Sequence, residues 1–213
     1  MALRKIVLAT GEVYHIFNRS VREMPIFKGR RDYSLFAEAM EYYLQLRPPT
    51  RFSIYRIQKN KYPLCLREKI VTIINFCLMP THFHFILRQE KPNGIRQFIQ
   101  RLSNSFAHYF NLKYHTGGPV FEGNFKAVRV ENDEQLLHLS RYIHLNPVTS
   151  YLVEKPEDYF YSSYLTYLGK ENFSIIDSSL IMSSISKENY QNFVLDQKDY
   201  QRQLNWIKHL ILE

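Results

Sequence analysis

Only two cysteines, Cys65 and Cys77, occur in the 213 residues. That scarcity excludes a disulfide framework and a four-cysteine zinc site, and it reads as reduced thiols in a cytosolic protein. Long apolar runs are missing too: no stretch approaches the roughly 18 apolar residues of a spanning helix. "MALRKIVLAT" (1–10) starts basic, but its apolar run is too short for a signal segment and no small-residue cleavage site follows. The expectation is a soluble, cytoplasmic chain with no membrane partner. Internal repeats and low-complexity tracts are absent as well.

What is present is a core and a charge. Apolar residues make up 45% of the chain and aromatics 15%, enough to bury a core and too much for disorder. The net charge of +8 makes polyanions the leading class of partner. Residues 170–213 hold five basic and six acidic side chains, which leaves 23 basic against 14 acidic, a net of +9, on residues 1–169. The basic surface therefore belongs to the N-terminal part, and the chain divides into a domain at 1–169 and a helical C-terminal extension at 170–213.

"VYHIFNRS" (13–20) alternates as a strand does, and "DYSLFAEAMEYYLQL" (32–46) carries apolar residues at helical spacing up to Pro48-Pro49. "RFSIYRIQ" (51–58) reads as a second strand. "VTIINFCLMP" and "THFHFILRQ" read as one interrupted β segment, or as two arms broken near Pro80. Asn93 is placed as an N-cap, before a stripe of Ile95, Phe98, Ile99, Leu102, Phe106, Tyr109 and Phe110 that predicts a helix to the "TGGP" stop. "FKAVRVE" (125–131) is a short strand, and "NDEQLLHLSRYIHLNP" predicts a capped helix ending at Asn146, before Pro147. The order β-α-β-β-α-β-α predicts an α+β domain: a ferredoxin-like antiparallel sheet with helices on one face. The tail "ENYQNFVLDQKDYQRQLNWIKHLILE" (188–213) reads as two short amphipathic helices.

Two constellations could carry chemistry. In a strand, His82 and His84 share a face while Phe83, Phe85 and Leu87 take the other. Two imidazoles so placed can hold one divalent ion if a third ligand arrives from elsewhere. Alone, the pair fits two polar residues on a wet face better than a metal site. On the last helix, Tyr142 and Asn146 stand one turn apart on one stripe. Alone, they fit a rim tyrosine and a helix-end asparagine. Tyr109 is better explained as core, and Tyr114 is a weaker competitor as a nucleophile. His144 reads as a surface residue. His15 reads as a sheet residue, with a place behind a metal ligand as the alternative. Basic residues interleaved with aromatics suit a groove that follows a phosphate backbone and stacks unpaired bases. The candidates are Arg19, Arg22, Arg96, Arg101, Lys126, Arg129 and Arg141.

Taken in order, "YHIFNR", "FCLMPTHFHFIL", "GGPVFEGNFKAVRV", "YIHLNPV" and "SSY" (162–164) resemble the single-tyrosine HUH transposases. The relatives in view are the REP-associated tyrosine transposases and their insertion-sequence kin, and the resemblance spans roughly residues 10–170. It implies His82 and His84 as paired metal ligands, Tyr142 as nucleophile and Asn146 as the residue completing the metal site. It implies Mg²⁺ or Mn²⁺ as cofactor, although imidazole ligands favour manganese, zinc or nickel by softness. The partner it implies is single-stranded DNA carrying a hairpin, cut and rejoined through a 5′-phosphotyrosine link. Some relatives act as homodimers and others as monomers. Two other readings stand beside it: a domesticated protein that binds hairpin nucleic acid without strand transfer, and a structural zinc protein using His82, His84 and Cys77.

Overall fold

The alternation at 13–20 becomes strand β1 (Val13–Arg19), with Tyr14, Ile16 and Asn18 buried and the residues between them half-buried or exposed. The computed structural model describes residues 7–64 and 66–197. Helix α1 (Arg30–Tyr43) starts where the Asp32 carboxylate accepts the backbone N–H groups of Lys28 and Gly29, at 2.9 and 3.0 Å. The stretch expected as a second strand is instead a short helix, α2 (Phe52–Ile57). Its buried pair is Phe52 and Tyr55, three apart, and both rings pack on Tyr42 while Ile57 stays exposed. Only helical backbone puts residues three apart on one face.

The interrupted β segment resolves into two arms. β2 (Val71–Met79) and β3 (His82–Gln89) pair antiparallel around the Pro80-Thr81 turn, with a bulge between Ile73 and Asn75. Helix α3 (Gly94–Tyr114) follows. Asn93, expected to cap it, sits at φ 60 with no side-chain cap bond, and Gln89 Oε1 accepts the N–H of Ile95 in its place. Then come β4 (Lys126–Arg129) and α4 (Asp133–Thr149), whose N-cap Asn132 accepts from Gln135 as expected. α4 continues past the expected stop at Asn146, with Pro147 inside it. The proline sits in the last turn, where it removes a single N–H, and Ser150 N–H still reaches Asn146 O at 3.0 Å.

The strands form one antiparallel sheet in the order β2-β3-β1-β4. α1 and α3 cover one face, burying Ile16, Phe36, Phe83, Phe85, Phe98 and Phe106. This is the antiparallel α+β architecture the pattern predicts. A second layer is added to the single one expected, because β2 buries all nine of its residues and so offers apolar side chains on both faces. Against its far face, Ile143, Leu145 and Val148 of α4 pack with Ile74, Cys77 and Ile86. Three short helices complete this layer: α5 (Tyr164–Tyr167), α6 (Ser179–Met182) and α7 (Lys187–Leu195). Tyr190 and Val194 of α7 are buried against α4, so residues 170–197 are docked on the domain. α7 matches the first of the two tail helices expected; the second lies outside the described residues, as does Cys65. Residues 161–163 line the outer edge of β2, through Leu78 N–H to Tyr161 O and Ser163 N–H to Phe76 O. Among the described residues, no helix is long and apolar enough to cross a membrane.

Candidate active site

Residues paired directly across antiparallel strands share a face, so the register fixes what surrounds the two histidines. Cys77, His84, Phe17 and Lys126 form one row across the sheet, and Met79, His82 and Arg19 form a second. The His82 and His84 rings stand 5.0 Å apart, nearly perpendicular. This is the face that α4 crosses. Its Tyr142 ring lies 6.0 Å from that of His84, edge to face. One turn later Asn146 is buried, with its side chain in hydrogen-bonding reach of the Tyr142 hydroxyl and its Nδ2 without a hydrogen-bond partner among the described residues. The structure therefore brings His82, His84, Tyr142 and Asn146 together.

Burial sets the protonation of this cluster. It lowers His82 to about 4, helped by the positive charge of Arg19, and holds His84 well below its usual value, helped by His82 and His15. Both imidazoles are thus neutral near neutral pH, the state a metal ligand requires. Burial raises the Tyr142 phenol above its ordinary value, and the contact with Asn146 offsets part of that.

The donor set fits a small divalent cation. The Nδ1 of His82 meets Thr81 Oγ1 at 2.9 Å, and the Nδ1 of His84 meets His15 Nε2 at 2.9 Å. Each ring thus has its Nδ1 engaged by a neighbour, and Nε2 is the nitrogen that could ligate a cation. The unpartnered end of the Asn146 amide becomes Oδ1 after a half-turn of the group, which supplies an oxygen donor. Among the described residues, no three His, Cys, Asp or Glu side chains are grouped so that they could hold a metal ion by themselves. The zinc site that would add Cys77 to the two histidines is accordingly not formed. Cys77 is buried, burial pushes its thiol up, and its Sγ lies 3.6 Å from Met79 Sδ.

The seven basic candidates separate by position. Lys126 shares the His84 row, 5.9 Å from the Phe17 ring centre, and Arg19 shares the His82 row, where it pairs with Glu122 and Glu23. Arg22 is exposed in the turn that follows β1. Arg96 lines a groove of about 700 Å³ beside α3, together with Asn18, Gln100, Ser103, Asn104 and Asn124. Arg96 is also away from the histidines, since Asn18 lies with Tyr14 and Ile16 on the opposite face, and the other three are engaged elsewhere. Arg101 reaches the carbonyls of Gln45 and Leu46, and Arg141 lies over Phe193, 4.1 Å from the ring centre. Arg129 pairs with Tyr14, on the opposite face of the sheet from the histidines, and binds Glu12 through two nitrogens.

The competing tyrosines are far from this chemistry: Tyr109 and Tyr114 both donate to the Asp32 carboxylate at 2.8 Å, beneath the other face. His144, expected at the surface, is fully buried. Its Nδ1 meets the Tyr190 hydroxyl at 2.7 Å and its Nε2 meets Ser163 Oγ at 2.8 Å. The second helical layer covers the side of α4 on which it projects, and that layer left no periodic signal around residue 144. The groove beside α3 had no signal either, since its amides come from three separate segments.

Comparison with known proteins adds two findings. The family model for IS200-like transposases matches residues 56–146, a span that contains His82, His84, Tyr142 and Asn146. A solved structure of a REP-associated tyrosine transposase bound to a REP hairpin matches with a TM-score of 0.57 at 16% identity. That match covers 83% of this chain and 98% of the other. A search of curated protein sequences returned no match. At that identity the structural likeness establishes the fold, and the family match bears out the resemblance seen in the motifs.

Proposed function

For a chain whose residues 56–146 match the IS200-like transposases, we propose a transposase that cuts and rejoins single-stranded DNA with Tyr142 as nucleophile. One observation carries the reading: Tyr142 and Asn146 of α4 lie over His82 and His84 of β3, on a sheet face rimmed by Arg19 and Lys126.

The Tyr142 oxygen attacks phosphorus, the bond from phosphorus to the 3′ oxygen breaks, and the phenol gives up its proton as the departing oxygen gains one. The products are a 5′-phosphotyrosine and a free 3′-OH. Attack by a second 3′-OH on the same phosphorus reverses the sequence, joins the new ends and releases the tyrosine. Asn146 keeps the phenol aimed, and the half-buried setting of Tyr142 limits competing attack by water. Arg19 and Lys126 meet the phosphates flanking the cut. A divalent cation, Mn²⁺ or Mg²⁺, held by His82, His84 and Asn146, would polarise the scissile phosphate and offset its developing charge.

The solved relative is bound to a hairpin, and a hairpin beside the cut is the partner proposed here. The groove with Arg96 and its amides offers hydrogen bonds to nucleotides outside the cut. The test is a labelled oligonucleotide with a hairpin and a single-stranded flank, incubated with the protein and Mn²⁺ and then denatured. Wild type is expected to carry the label covalently and Tyr142→Phe to lose it. Equal labelling of the variant removes Tyr142 from the role. Salt-sensitive hairpin binding without an adduct under any divalent metal would favour the binding-only reading.

A further inference from the structure

We propose that His15 is a positioning residue of the metal site, accepting the Nδ1 proton of His84 and so reserving His84 Nε2 for a cation. The inference rests on reading His82 and His84 as ligands, and it deepens that reading.

The geometry is that of a directed bond. The nitrogens are 2.9 Å apart, the ring centres 5.2 Å apart, and the planes differ by 19°. Ring centres reach that separation at that nitrogen distance only when the two rings point at each other edge to edge. Phe17 holds both rings in place, lying 4.8 Å from His15 and 5.8 Å from His84, with its plane within 30° of each. His15 and Phe17 alternate onto the site face of β1, and Phe17 is the residue paired with His84.

A neutral imidazole carries one N–H. When Nδ1 holds it, Nε2 has a free lone pair; when Nε2 holds it, that nitrogen cannot ligate. Between two neutral rings a single proton occupies the bond. His84 can serve as a ligand through Nε2 only in the arrangement where it donates and His15 Nε2 accepts. Thr81 Oγ1 stands in the same relation to His82 Nδ1, also at 2.9 Å. Both ligands thus have their second nitrogen engaged, one by a hydroxyl and one by an imidazole. A metal-bound histidine ordinarily gives its other N–H to a carboxylate, a backbone carbonyl or water. Here a third histidine, from a neighbouring strand, takes that part.

The test uses the full chain and Mn²⁺ alone, with affinity read by calorimetry and by the electron paramagnetic resonance signal of free Mn²⁺. His15→Phe keeps a ring beside Phe17 and removes the acceptor; His15→Gln restores an acceptor through its side-chain oxygen. His15→Phe is expected to weaken Mn²⁺ binding by about 10–100-fold, with His15→Gln staying within roughly threefold of wild type. His15→Leu replaces the Phe variant if that variant does not fold. Wild-type affinity in His15→Phe, alongside lost binding in His84→Ala, overturns the role of His15 and leaves the ligands standing. No Mn²⁺ binding by wild type, or unchanged binding by His84→Ala, overturns the ligand reading and this inference with it.

Discussion

Replacing Tyr190 by Phe removes one oxygen from a closed polar ring buried between α4, β2 and α7. The Tyr190 hydroxyl meets Ser140 Oγ at 2.5 Å and His144 Nδ1 at 2.7 Å. His144 Nε2 meets Ser163 Oγ at 2.8 Å, and Ser163 donates to Asn75 Oδ1 and accepts the N–H of Phe76. Asn75 Nδ2 closes the ring by donating to Ser140 Oγ at 2.8 Å. In Tyr190→Phe the serine keeps Asn75, whereas His144 Nδ1 is left buried and unpaired. A lost hydrogen bond at about 1 kcal/mol plus an unsatisfied buried group at about 1–3 kcal/mol predicts a loss of about 2–4 kcal/mol. For a chain of this size that corresponds to a Tm lower by roughly 5–15 °C. Circular-dichroism melts and urea titration measure it. Because α4 also carries Tyr142 and Asn146, covalent capture of DNA should slow in single turnover at a temperature where the variant is still folded. A melt within about 0.5 kcal/mol of wild type would show that the ring is not a closed network, and would remove the reason to treat α7 as part of the nucleophile's support.

Asp32 offers a pH test: its burial alone would push the carboxyl up, but bonds from Lys113, Tyr114 and Tyr109 outweigh this and lower it. A group lowered on folding contributes fully above its unfolded value of about 3.9, and that contribution is lost as pH falls through the folded value. Asp32→Asn should therefore be less stable than wild type at neutral pH and converge on it in acid urea titrations; a gap that widens toward acid contradicts the assignment. Gly94→Ala would set a Cβ against the backbone carbonyl oxygen of Ile70. Its expected cost is about 1–3 kcal/mol or failure to fold, and an unchanged urea midpoint would contradict the close approach. Lys126→Ala should weaken single-stranded DNA binding and reduce the salt-dependence slope by about 0.7. Arg129→Ala, on the opposite face and paired with Glu12, should leave that slope alone; the reverse pattern would put the DNA on the other face of the sheet.

The parts of the site legible in the sequence were those set by local periodicity. His82 and His84 alternate with Phe83 and Phe85, and the structure puts the phenylalanines under α1 and α3 with the imidazoles opposite. Tyr142 and Asn146 sit one turn apart, and any helix there aligns them. What escaped depends on contacts distant in sequence. The stretch 51–58 reads as a strand in the sequence, yet Ile54 and Ile57 are exposed and the buried pair is Phe52 and Tyr55, whose partner Tyr42 lies in another helix. His144 looked like a surface residue because its partners come from residues 163 and 190. Charge alone did not separate Lys126, on the site face, from Arg129, three residues on and facing the other way; the strand register separates them. The partnership of His15 with His84 likewise appears only once β1 and β3 are paired.

The most direct measurement is to digest the DNA adduct with protease and nuclease and locate the residual nucleotide by mass spectrometry. A 5′-linked nucleotide on the Tyr142 phenol is expected, formed by wild type with Mn²⁺. A nucleotide on Tyr114 or Tyr109, whose hydroxyls are bound to Asp32 beneath the other face of the sheet, or on any residue other than Tyr142, would contradict it.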